Sequence, residues 1–87
     1  MIAQGNGDLK GPKTPVKTGE KIIIMAPAGA RIWIFRNGSS AGPVVSTSVD
    51  GTGTVKISAP DTPGEYTIMT DEIPPDSAPL TVVDAAR

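Results

Sequence analysis

The sequence predicts an all-β fold: a single sandwich domain of about seven short strands. Three observations carry that expectation. Ten glycines and nine prolines punctuate 87 residues, so turn signals recur at roughly 8–12-residue spacing. The stretches between them are short, and they either alternate apolar with polar residues or run briefly apolar, the two patterns of half-buried and fully covered strands. No stretch shows the 3.6-residue apolar period of an amphipathic helix.

The elements follow in order. Residues 1–13 are rich in Gly, Pro, Lys and Asn and predict a flexible N-terminal arm with little to bury. The sandwich is expected over residues 14–84. Thr14-Pro15-Val16-Lys17 reads as an edge strand, because Pro lacks the N–H a central strand needs. Residues 20–26, with the apolar run Ile22-Ile23-Ile24-Met25, form the next strand. Arg31-Ile32-Trp33-Ile34-Phe35-Arg36 is a central strand closed by the turn pair Asn37-Gly38. Residues 43–49 alternate Val45, Thr47 and Val49 against Val44, Ser46 and Ser48. Asp50-Gly51-Thr52-Gly53 makes a tight turn into residues 54–59, with Val55 and Ile57 inward. Residues 66–70 and 79–83 complete the set, separated by a loop over residues 71–78.

Asp61-Thr62-Pro63-Gly64-Glu65-Tyr66 has a particular meaning among these turns. A Tyr just after a turn, opening the penultimate strand, is the sign of a tyrosine corner, whose hydroxyl bonds backbone a few residues upstream. With this motif, Trp33 in a central strand, and the ending Pro-Leu-Thr-Val-Val, the chain resembles the immunoglobulin-like domains of bacteria and bacteriophages. The resemblance implies that Trp33 is the buried Trp of strand C and Tyr66 the corner residue of strand F. It also implies that Ile22 and Ile68 stand where many such domains carry a disulfide. With no cysteine in the chain, an apolar pair fills that space without oxidation.

The expected core is Ile22, Ile24, Trp33, Phe35, Val55, Ile57, Tyr66 and Ile68. With Trp33 and Phe35 inward, period-two geometry turns Ile32 and Ile34 outward. Together with Met69 and Val83 they make a candidate apolar interface. The arm, or residues 43–49, is an alternative cover for that patch. An inverted strand, with Trp33 and Phe35 outward, would leave an apolar patch as well.

Composition excludes most chemistry. Histidine and cysteine are absent, which removes the usual general base, the common nucleophile–base pairs and thiolate metal sites. Asp71, Glu72 and Asp76 share one loop, but their spacing matches no established Ca²⁺ loop, and a solvated acidic loop is the expected reading. A net charge of −1 supplies no field for nucleic acid or anionic lipid, and no window approaches the ~20 apolar residues that span a bilayer. The expectation is therefore a non-enzymatic binding protein without catalytic residues, metal or cofactor. A chain that opens on Met without a secretion signal, and without cysteine, reads as a product assembled in the cytosol. The phage branch of the resemblance then implies a virion accessory, such as a capsid decoration protein binding a phage capsid or tail protein, with self-association compatible with an apolar patch. A cell-surface adhesion or glycan-binding module is the second expectation.

Overall fold

The computed structural model describes residues 9–12, 14–71 and 75–84. It is all-β with seven strands: β1 (Val16–Lys17), β2 (Lys21–Met25), β3 (Arg31–Arg36), β4 (Pro43–Ser48), β5 (Thr54–Ser58), β6 (Gly64–Thr70) and β7 (Ser77–Val83). Five strands form a mixed sheet in the order β1-β7-β6-β3-β4, and β2 and β5 form a second sheet. The pair β1–β7 is parallel, and every other pairing is antiparallel. The strands fall where turn chemistry and alternation place them, within one or two residues at most ends.

Both sheets contribute to one core. From β2 come Ile22 and Ile24, from β3 Ile32 and Ile34, from β6 Tyr66 and Ile68, and from β7 Leu80 and Val82. Val55 and Ile57 of β5 pack against it, partly buried, opposite Ile24 and Ile22 in register. Fully burying an Ile or Leu side chain contributes about 1.5–3 kcal/mol, so this aliphatic set dominates the stability of a domain this small.

The orientation of β3 corrects the sequence reading. Ile32 and Ile34 are completely buried, whereas Trp33 and Phe35 are only half-buried and lie on the opposite face. The cause is register. Directly opposed residues in a sheet share a face, and Ile34 pairs with Ile68 while Ile32 pairs with Thr70. Ile68 and Tyr66 point inward on β6, so their partners on β3 must do so too. Core membership for Ile68 is therefore incompatible with an outward Ile34. A Trp turned outward also keeps its indole N–H within reach of water, a partner the interior would otherwise have to supply.

The N-terminal stretch departs from expectation where it is described. Residues 1–8 and 13 of the expected arm lie outside the described residues. Leu9, however, is buried, and Lys10 exchanges two backbone hydrogen bonds of 2.8 Å with Met25 on the outer edge of β2. A Cβ added to Gly11 would lie 2.9 Å from Ile68 Cδ1, so the glycine allows the backbone to sit directly over that side chain. Two strands cannot cover a five-stranded sheet; this segment extends the cover.

Two turns show how local chemistry closes the strands. Gly38 takes φ 83° after Asn37, a conformation that favours glycine. Asp50 organises the turn before β5: its Oδ1 accepts from Thr52 Oγ1 at 2.6 Å, Thr52 N at 2.8 Å and Thr54 N at 3.3 Å. Those bonds, the Thr52 hydroxyl foremost, hold the Asp50 carboxyl below its ordinary value.

Candidate binding faces

The Tyr66 corner sets one end of the molecule. The ring is buried, and its hydroxyl donates to the Thr62 carbonyl at 2.6 Å, four residues upstream. Arg36 closes over it, with Cζ 5.8 Å from the ring centroid and Nη1 donating to the hydroxyl at 3.4 Å. Beside the corner a surface cleft of about 370 Å³ opens against Val44, Val45, Ala59 and Asp61. Its polar lining comprises Arg36, Ser58, Asp61, Thr62 and Tyr66.

The acidic loop is committed to backbone. Asp71 Oδ1 accepts from Arg31 N at 3.0 Å, and Asp71 N donates to Arg31 O at 3.1 Å. Asp76 accepts from Leu9 N at 3.0 Å through Oδ2 and from Ser77 N at 3.0 Å through Oδ1. Glu72 lies outside the described residues. Among those described, no three Asp or Glu residues gather to hold a metal ion. Asp76 instead tethers the N-terminal segment to the loop before β7.

Two sheet faces turn to solvent. On the five-stranded sheet, register aligns Ser46, Trp33, Met69 and Ser77 in one row. The next row carries Pro43, Phe35, Thr67 and Pro79. Arg31 flanks the first row and donates from Nη1 to Ser46 Oγ at 3.3 Å. Asn37 Oδ1 accepts from Thr67 Oγ1 at 2.7 Å at the border of the second. Trp33, Phe35 and Met69 thus form an apolar centre with hydroxyls and a guanidinium around it. Between Ile34 and Phe35 the β3–β4 register shifts, leaving Val44 as the extra residue on β4, about half-exposed. Such a bulge twists an edge strand away from further pairing.

The four residues expected to form an interface are therefore not brought together. Ile32 and Ile34 are core. Met69 joins Trp33 on the outer face. Val83 is exposed, but it lies six residues along β7 from Ser77, the partner of Met69, or about 20 Å away at strand rise.

The second face was hidden in the run Ile22-Ile23-Ile24-Met25. Ile22 and Ile24 point into the core, so Ile23 and Met25 point out, 55% and 50% exposed. They are the largest apolar exposures on the two-stranded sheet. Lys56 stands directly opposite Ile23, Lys21 opens the strand, and Lys10 pairs with Met25 on the other side. All three lysines are exposed. The period-two rule applied to the inward Ile22 and Ile24 would have found this face; the uninterrupted apolar run masked it.

No protein-family model matches the chain, no curated protein matches it, and no solved structure matches it.

Proposed function

We propose that the chain is a non-enzymatic, immunoglobulin-like binding module that serves as a bacteriophage virion accessory, specifically a capsid decoration protein that binds the assembled head. The observation that carries the reading is the outward apolar pair Ile23 and Met25, about half-exposed side by side on one sheet of a domain this small. Apolar groups of this size clustered on a solvent face mark contact surfaces. The strand order supports the immunoglobulin-like part. β3, β6 and β7 lie side by side as strands C, F and G do, and β2 and β5 pair as B and E do. The hydroxyl of Tyr66 makes the upstream backbone bond of a tyrosine corner. Absence of cysteine fits assembly in a reducing compartment. A decoration protein acts by mass action: it binds the assembled lattice and not its fragments, and so stabilises the shell.

Mass spectrometry of purified particles from the producing culture tests the reading. The chain is expected at stoichiometric copy number, on heads. Its absence from particles, with recovery from the cell envelope or medium, refutes the decoration role.

The second reading, an adhesion or glycan-binding module, is favoured by one observation. Trp33 and Phe35 lie on the outer face among Ser46, Thr67 and Arg31, and an aromatic beside hydroxyls is a surface on which a sugar ring can stack. Retention on immobilised polysaccharide that is lost in Trp33→Ala, with no chain on particles, would establish this role instead.

A further inference from the structure

We infer that the outer face of the β2–β5 sheet is the docking surface, and that it takes an acidic protein surface whose carboxylates surround an apolar spot. The inference rests on the decoration reading and names the face and the chemistry of its partner. Ile23 and Met25 form the centre, and Lys10, Lys21 and Lys56 frame it. The remaining outward positions of the two strands are Thr54 and Ser58, so neither strand carries a carboxylate. Nearby, Glu20 accepts from the backbone N of Lys17 at 2.8 Å, and Asp50 is occupied by its own turn. On a chain of net charge −1, with Glu20 and Asp50 off the strands, the outward positions of β2 and β5 thus carry only positive charge beside the exposed apolar pair, the arrangement that steers and orients an oppositely charged partner.

Other occupants fit less well. A second copy docked about a two-fold axis would set lysines against lysines, because such a contact presents the same patch twice. Lipid-binding clusters carry about 4–8 basic residues, more than the three here, and this face has no aromatic residue to seat at a headgroup boundary. A phosphate backbone would leave Ile23 and Met25 with nothing to cover them.

Particles stripped of the protein and redecorated with purified chain test the inference. The panel is wild type, Lys21→Glu/Lys56→Glu, Ile23→Ser and Trp33→Ala. All four side chains are at least partly exposed on outward faces, and melting curves verify that each variant is folded. Wild-type affinity is expected to fall several-fold as NaCl rises from about 50 to about 300 mM, as the screening length shortens. The charge reversal and Ile23→Ser are each expected to weaken decoration at least about tenfold, a difference of about 1.4 kcal/mol, while Trp33→Ala decorates normally. Wild-type decoration that both β2–β5 variants retain would overturn the inference and leave the decoration reading standing. Failure of the wild type to bind particles would overturn that reading and the inference together. Two companion measurements assign the face elsewhere if positive. One is wild-type binding to phosphatidylserine vesicles in preference to particles. The other is self-association, by analytical ultracentrifugation, that Ile23→Ser abolishes.

Discussion

Replacing Tyr66 by Phe isolates the corner hydrogen bond. The ring is 2% exposed and Phe keeps its volume, so the apolar contribution is retained. What is lost is a 2.6 Å bond to the Thr62 carbonyl and a longer one from Arg36 Nη1. A neutral hydrogen bond is worth about 0.5–1.5 kcal/mol net, and a stranded buried partner raises that cost by desolvation. Thr62 and its turn are exposed, so water can take over the carbonyl, which confines the loss to about 1–2 kcal/mol. At about 2.1 cal/mol/K per residue, 87 residues give an unfolding entropy of about 0.18 kcal/mol/K. The melting midpoint should therefore fall by about 5–11 °C. Paired thermal and urea denaturation of the two proteins measures it, and an unchanged urea m-value verifies that the unfolded reference is the same. A midpoint within a degree of wild type would refute the corner as a stabilising device. Tyr66→Ala, which also empties the ring's site, should cost about 3–5 kcal/mol.

Four further outcomes follow from the same geometry. Ile34→Ala removes a fully buried side chain and should cost about 2–5 kcal/mol, more than Phe35→Ala on the outer face. The single Trp33 should be quenched by acrylamide in the native protein; protection from quencher would return it to the core. Leu9→Ala should lower stability by about 2 kcal/mol in the same denaturation assay, whereas a mobile arm would give no change. Asp50 supplies a pH test. Its folded value is lowered, so the stability it contributes is present above the ordinary value of 3.8 and is lost as pH falls through the lowered one. The gap in melting temperature between wild type and Asp50→Ala should be open at neutral pH and close in acid. A gap as wide at the acid end as at neutrality would remove the turn's carboxylate from the account.

Much of this fold was legible in the chain because turns and alternation are local. Gly38, the Asp50 turn and the Pro63-Gly64 turn are set by the conformations those residues permit, and Tyr66 announces its corner within six residues. Ile22, Ile24 and Ile68 could be placed in the core from their own neighbourhoods. Three matters were settled only when the strands met. Alternation along β3 is symmetric under a flip, so Ile-Trp-Ile-Phe is apolar on either face; the pairings Ile34–Ile68 and Ile32–Thr70 chose between them. A glycine- and proline-rich segment reads as mobile until two strands prove too few to cover five; the space over Ile68 then draws in Leu9 and Gly11. The basic rim around Ile23 and Met25 has no image in sequence order, since Lys10, Lys21 and Lys56 are brought onto one face by the β2–β5 register and the Lys10–Met25 bridge. Local conformation is written residue by residue, but which face is inside, and which charges become neighbours, is a property of pairing between distant strands.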